Sequence, residues 1–505
     1  MVPMNHLNQQ AETNSTLTKA GTYIIITQDR YLDETYLGPK IIAGQKIIKL
    51  FNEKKITPRD FDNITRLETK NQEKETIHLK QATEKINHNK LARQLTIGND
   101  FITFEDTQEI LKYNSKTGVY EPSESMLMAM IQEETDYNCT THLVNETLNT
   151  IRRSTYVERD TVGHDTKLIP LQNGVLNLDT MELINYNPDM IFLTKHPVEW
   201  KTKEENEMID VNPIESFIEE VTENQVDEVL LKEITGYTFY RGMPFHNFFL
   251  LYGKGSNGKS VYLNMLRAML GYDNVSNESL QSLVDNRFSQ ANLYLKNANV
   301  FGDLSSKSLT DAGMLKLLTG NDMITAEQKF KPSFQFKNYA KIIASCNEVP
   351  ETPDTSEGFF RRAVILNFPR SFEGREDRTL IDKLITPENL SNFLFVSLNA
   401  FKGALEESKW VRQETVLDKK RKYMNLSNSS YAFCDLCLDY DPELEIKTME
   451  IYSKYKLFCK GNKIVPKDER SFFLRLYKFF NHKVYKRRKE FIGIRQHVIC
   501  GLVWK

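Results

Sequence analysis

Apolar and polar residues are distributed along this chain in two periods. An unbroken aromatic and aliphatic run, Phe248-Phe249-Leu250-Leu251-Tyr252, reads as a buried strand. It leads into Gly253-Lys254-Gly255-Ser256-Asn257-Gly258-Lys259-Ser260, after which Val261, Leu263, Leu266 and Leu270 recur at helical spacing up to a stop at Gly271. Three further segments have strand character: Asn299–Asp303, Tyr339–Asn347 and Ala363–Leu366. Leu309–Leu318 predicts an amphipathic helix closed by Thr319-Gly320-Asn321-Asp322, and Met323–Lys337 alternates as a hairpin does. Upstream, Thr22–Thr27 reads as a strand and Thr107–Tyr120 as two strands around a Gly-containing turn. Ile169–Leu178 carries an Asn-Gly hairpin signal, and Ile214–Gly236 has helical spacing that ends at Gly236.

A chain of 505 residues exceeds a single core, so two to four domains are expected. No run of eighteen apolar residues and no charged-apolar-small leader is visible, which leads us to expect an intracellular, cytoplasmic protein without a membrane partner. Six scattered cysteines fit a reducing compartment. Cys434 and Cys437 form one CxxC, but no second CxxC or spaced histidine pair accompanies them, so they read as two cysteines on a helix rather than a zinc site. The net charge of −2 conceals an asymmetry. Residues 451–505 hold fifteen Lys and Arg against three Asp and Glu, a charge of +12, so the remainder carries −14.

The Gly253–Ser260 segment has the GxxxxGKS spacing between a strand and a helix, the context of a phosphate-binding loop. Glycines let the backbone N–H groups reach phosphate oxygens at a helix N-terminus, Lys259 can neutralise the β- and γ-phosphates, and the Ser260 hydroxyl can ligate Mg²⁺. Asp303 ends a strand where an ATPase needs a carboxylate for the metal and the attacking water, and Asn347 ends another where an amide can orient that water. Arg361 and Arg362 precede a strand and supply the residue type that stabilises charge in phosphoryl transfer. Lys329, Lys331 and Lys337 alternate with Phe330, Phe334 and Phe336. That pattern suits phosphate contact and base stacking, and equally an ordinary half-buried hairpin. Asp60 and Asp62 follow Thr57-Pro58 and read as first-turn helix residues rather than the metal-holding acids of a primase.

The order of these parts between Gly253 and Arg362 resembles the superfamily 3 helicases of viruses and plasmids, and most of all the poxvirus and phage primase-helicase type. The likeness runs over roughly residues 100–505. It implies an α/β fold: a poorly defined region 1–97, an α+β domain 98–235, an AAA+-like P-loop ATPase core 236–408 and a basic C-terminal winged-helix domain 409–505. It further implies ATP and Mg²⁺ as cofactors, with phosphates held by the Gly253–Ser260 loop and metal by Ser260 and the Walker B carboxylate Asp303. Asn347 would be the sensor, and Arg362, with Arg361 as second choice, the finger acting on the next subunit's ATP. Lys329 with Lys331 would grip single-stranded DNA, and Lys486, Arg487 and Arg488 in the C-terminal wing would contact phosphates. Two departures stand out: Gly302-Asp303 offers one acid where many members have two, and Asn321 replaces a usual second glycine. With fewer than a hundred residues ahead of the matching region, the expectation is a homo-hexameric replicative helicase on single-stranded and forked DNA that relies on a separate primase. A DNA-binding initiator that uses ATP as an assembly switch and a small-molecule kinase on the same loop are the competing readings.

Overall fold

The computed structural model describes residues 87–206, 212–329, 333–491 and 494–505. The strand expected at Thr22–Thr27, the pair Asp60 and Asp62, and Lys331 lie outside the described residues. The first described element is helix α1 (His88–Thr96), whose Leu91, Ala92 and Leu95 pack against Phe101, Ile110, Leu127 and Ile151. Residues 88–96, assigned from sequence to the region 1–97, thus form an amphipathic helix that belongs to the core shared with the strands that follow.

That domain has strands β1 (Phe101–Phe104), β2 (Ile110–Asn114), β3 (Val119–Pro122) and β4 (Tyr156–Val157) in the order β3-β2-β1-β4, with β4 parallel to β1. Helices α2 (Glu124–Glu134) and α3 (Thr141–Ser154) cover it. The hairpins read at Thr107–Tyr120 and Ile169–Leu178 are present, the latter as β5 (Leu168–Leu171) and β6 (Gly174–Asn177) with β7 (Glu182–Ile184) alongside. Asn173 does more than turn the chain: its side chain donates to the Trp200 carbonyl and accepts from the Trp200 N–H, both at 2.9 Å.

The single helix expected over Ile214–Gly236 is two: α4 (Pro213–Val221), capped by Asn212, and α5 (Gln225–Phe239), capped by Asn224. Gly236 does not end α5; it lies inside it, buried in the contact with a later helix. Glu233 of α5 is buried and accepts the Val411 N–H at 3.1 Å, and burial pushes its carboxyl up to about 7. Because the folded state binds this proton more tightly than the unfolded chain, whose value is near 4.5, stability falls as pH rises from about 4.5 to 7. Glu233→Gln keeps an oxygen acceptor, and at pH 8 it should gain on the order of 1 kcal/mol in chemical denaturation but nothing at pH 4.

Next come β8 (Phe248–Tyr252), helix α6 (Lys259–Leu270), β9 (Val275–Ser276), β10 (Ala298–Gly302), helix α7 (Gly313–Leu318), β11 (Met323–Ala326), β12 (Phe334–Lys337) and β13 (Lys341–Cys346). Helix α8 (Glu357–Phe360) and strand β14 (Ala363–Asn367) follow. Strands β14-β8-β13-β10-β9 form one parallel sheet, and β11 and β12 form a separate antiparallel hairpin. The continuous apolar runs follow from burial on both faces: Phe249, Leu251, Ile343, Val364 and Leu366 enter one core cluster, while Phe248, Leu250, Ile342, Ala344 and Ile365 enter the other. Each such fully buried Phe, Leu or Ile contributes roughly 1.5–3 kcal/mol. The helix expected over Leu309–Leu318 shrinks to α7, since the Leu309 N–H bonds the Glu351 carbonyl and Asp311 accepts the Gly313 N–H instead of continuing a helix.

Helix α9 (Pro387–Glu407) lies against α5, and α10 (Val416–Ser427) leads to the C-terminal part: α11 (Ser429–Cys437), β15 (Leu438–Lys447), α12 (Thr448–Gly461), α13 (Glu469–Phe479), β16 (Tyr485–Phe491) and β17 (Ile494–Trp504). Its antiparallel sheet has the order β15-β17-β16. Cys434 and Cys437 do sit on a helix, and among the described residues no three or more His, Cys, Asp and Glu side chains cluster as a metal-holding group. Also among the described residues, no helix is long and apolar enough to cross a membrane.

Candidate functional site

The glycine-rich loop leaves the C-terminal end of β8, between β13 and β14, and its last residues open α6. Gly258 has φ +83°, a left-handed conformation that a side chain resists, and a Cβ there would lie 2.6 Å from Val221 Cγ1. At Gly253 a Cβ would meet Asn257 Nδ2 at 2.4 Å and the Phe368 carbonyl at 2.7 Å. The loop is thus pressed against its surroundings on both sides. It is pinned further by Asn257 Nδ2 donating to Phe368 O at 3.0 Å and by the Phe372 N–H donating to Ser256 O at 2.7 Å.

Lys259 is 7% exposed. Its Nζ donates to Gly253 O and Asn257 Oδ1, each at 2.6 Å, and faces Asn347 Oδ1 at 3.4 Å. Burial lowers the ammonium's affinity for its proton, while the field of Asp303 works the other way. A desolvated cation held by neutral oxygens is short of countercharge, which is the electrostatic condition that an anion would relieve. Ser260, Lys254 and Ser256 are exposed around it, and Cys346 at the end of β13 is buried with its thiol pushed up to about 12, so it stays neutral beside the lysine.

Asp303 follows the last residue of β10 and is exposed, with φ +91° and its N–H donating to Ser345 Oγ at 3.3 Å. A non-glycine residue so placed costs about 1–3 kcal/mol, strain of the kind that gathers at functional sites. The structure therefore brings together the loop, Lys259, Asp303 and Asn347 at the C-terminal edge of three adjacent strands.

The arginine pair divides. Arg362 is 9% exposed, with Nε donating to Thr319 Oγ1 at 3.1 Å and Nη1 to Gly358 O at 2.7 Å, whereas Arg361 is exposed. Lys329 is exposed in the turn region after β11. The basic run read as the wing lies on strand β16, whose two faces differ: Arg487 pairs with Glu445 at 2.8 Å, while Lys486 and Arg488 on the opposite face are exposed. Contacts that sequence reasoning did not anticipate join the loop to distant segments. Lys254 Nζ donates to the Asn462 carbonyl at 2.8 Å, and Arg475 pairs with Glu351 at 2.9 Å, so the C-terminal part rests on the loop's edge of the core. No local signal marks these, because the partners are more than a hundred residues apart.

Comparisons with known proteins agree with the sequence pattern. Residues 87–223 match the family described as D5 N terminal like, and residues 251–362 match a family of unknown function, DUF5906. The chain is 26% identical over 250 residues to "Putative helicase L207/L206" of Acanthamoeba polyphaga mimivirus, across 43% of this chain and 25% of that protein. It is 28% identical over 146 residues to "Putative helicase 022R" of Frog virus 3 (isolate Goorha), across 27% of this chain and 15% of that protein. The chain thus spans a quarter or less of the length of these relatives. Among solved structures, the apo C-terminal region of NrS-1 (305–718) superposes with a TM-score of 0.43 at 12% identity, over 83% of this chain and 100% of that one. The regions that match are typical of viral and phage superfamily 3 primase-helicases, and it is this type that the chain resembles.

Proposed function

We propose that this chain is the motor of an ATP-dependent DNA helicase of the superfamily 3 type, acting as a ring. The observation that carries the reading is the convergence of a buried Lys259, short of countercharge, with Asn347 and Asp303 at one edge of a parallel sheet. ATP would lie in the Gly253–Ser260 loop, with Mg²⁺ held by the Ser260 hydroxyl and Asp303. When bound, Mg²⁺-ATP supplies the phosphoanhydride to be cleaved and a metal that neutralises its charge. The chain's own groups do the rest. Lys259 donates to the phosphate oxygens once released from Gly253 O and Asn257 Oδ1, Asp303 accepts a proton from the attacking water, and the Asn347 amide orients that water.

The geometry favours a division of labour within the arginine pair. Arg362 fixes the turn through Thr319 and Gly358, and the exposed Arg361 reaches the neighbouring subunit's nucleotide. ATP hydrolysis measured with and without single-stranded DNA, together with the mass of the assembly with ATP bound, tests the proposal. DNA stimulation within a hexamer supports it, and DNA-independent hydrolysis by a monomer rejects it in favour of a small-molecule kinase.

Lys329, exposed at the β11–β12 hairpin, is the proposed grip on the translocating strand. Lys329→Ala should leave basal hydrolysis within about twofold of wild type while strand separation falls at least about tenfold. Normal unwinding by that variant would remove the hairpin from the mechanism.

One observation favours a second reading, the ATP-switched initiator. The C-terminal order α11-β15-α12-α13-β16-β17, with sheet order β15-β17-β16 and exposed Lys486 and Arg488, supports a winged-helix domain suited to duplex DNA. Tight, sequence-selective duplex binding by the whole chain without unwinding would decide for that reading.

A further inference from the structure

A cavity of about 850 Å³ opens at the other edge of the parallel sheet. Its walls include the segment before β8 (Tyr240 to Pro244), the segment before β13, strand β12 and the loop of residues 158–166. It faces the N-terminal ends of β8 and β13, whereas the phosphate loop lies at their C-terminal ends. Five residues of strand separate the two, roughly 16 Å, so the cavity is no extension of the nucleotide loop.

Arg241 in its wall is 7% exposed, and its Nε and Nη1 make no hydrogen bond. The guanidinium rests on the Phe192 ring, 4.8 Å from its centroid, and it fills the space beside Gly163, where even a Cβ would lie 2.2 Å from Nη1. A neighbouring cation in the wall, Arg159, is already paired with Asp106 at 2.7 Å, so the contrast is between a neutralised arginine and one that is not. Both nitrogens are enclosed, Nη1 against Gly163, so a ligand in the cavity meets them only when the guanidinium swings toward it; a buried guanidinium without partners is costly, and its planar donor set matches a phosphate, which favours that swing. Lys337 of β12 adds an exposed positive charge at the rim, and the rings of Tyr240 and Phe336 supply apolar wall; Glu158 and Asp160 are also at the rim, exposed to water and screened by it. The volume falls in the range that holds a nucleotide-sized ligand.

We propose that this cavity is a second phosphate-binding site, distinct from the nucleotide loop, which takes a nucleotide's phosphate at Arg241 and Lys337 and its base against Tyr240 and Phe336. Either a free nucleotide or a nucleotide unit of a bound single strand presents that chemistry. The full chain carrying Lys259→Met, which disables the nucleotide loop, is titrated calorimetrically with AMP and, separately, with a short thymidine oligonucleotide. Arg241→Gln is then added to that background. Because a buried arginine can be needed for folding, Lys337→Glu, at an exposed position, is tested in parallel, with Lys116→Glu, exposed in the β2–β3 turn, as the control for general charge. The expected result is a loss of about tenfold in affinity for one of the two ligands with Arg241→Gln or Lys337→Glu, exceeding the loss with Lys116→Glu. Loss of AMP binding identifies a free nucleotide as the source, and loss of oligonucleotide binding alone identifies the strand. Absence of binding by the Lys259→Met background, or a Lys337→Glu effect no larger than that of Lys116→Glu, overturns the proposal.

Discussion

Replacing Lys259 by Met is expected to lower ATP turnover by about 10²–10³-fold while leaving the protein folded. The Lys259 stem is buried at the start of α6, and methionine preserves most of that packing. What disappears is the ammonium that now donates to Gly253 O and Asn257 Oδ1 and that would donate to phosphate in the working state. Two thermal measurements separate lost chemistry from lost structure. Without nucleotide, the melting temperatures of variant and wild type should agree to within a few degrees. With saturating Mg²⁺-ATP, the wild type should shift upward, as any ligand selective for the folded state requires, and the variant should shift by clearly less, keeping at most what a second site contributes. A variant that retained both turnover and the ligand-induced shift would remove Lys259, and with it the phosphate-loop assignment, from the site.

Gly236→Ala should produce the largest structural effect, a loss of about 3 kcal/mol. Within a helix the change ordinarily gains up to about 1 kcal/mol, since alanine is the better helix former. Here the added Cβ would lie 2.2 Å from the Ser397 carbonyl and 2.7 Å from Phe401 Cβ, so α5 and α9 would be forced apart along a contact that includes Tyr237 and Phe401. Gly403→Ala is the internal control. It lies in α9 with open space where the methyl would go, and it should be neutral or stabilising. Opposite signs for the same substitution in two packed helices, read in urea denaturation, would establish that the approach of the two backbones sets the cost. Equal effects would refute it.

Much of the central sheet was legible before any coordinates, for a local reason. Strands buried on both faces must be apolar at every position, and the runs at Phe248–Tyr252, Ala298–Gly302, Lys341–Cys346 and Ala363–Asn367 largely are. The phosphate loop was legible because its glycines, lysine and serine are adjacent in the chain. Boundaries fared worse where a polar side chain supplied the stop, as Asn224 does between α4 and α5, or where a glycine was read as a terminator although helix packing had selected it. The helix anticipated from Leu309 was shortened by a tertiary hydrogen bond to Glu351 that no local pattern announces.

By itself, the sequence determined the order of the parts: a phosphate loop, an acid after a strand, an amide after a strand, an arginine pair and a basic C-terminus. Each is a short-range feature written in neighbouring residues. The tertiary structure alone decided which members of that series meet and which face outward. It put Asn347 Oδ1 3.4 Å from Lys259 Nζ, turned Arg362 inward to Thr319, tied Arg487 to Glu445 and left Arg241 at a cavity without partners for two of its nitrogens. These outcomes depend on which strands become neighbours and which helices touch. A contact between residues far apart in the chain is selected by the packing of the whole core, so residue type shows that a side chain can serve, and only the fold shows whether it is free to do so.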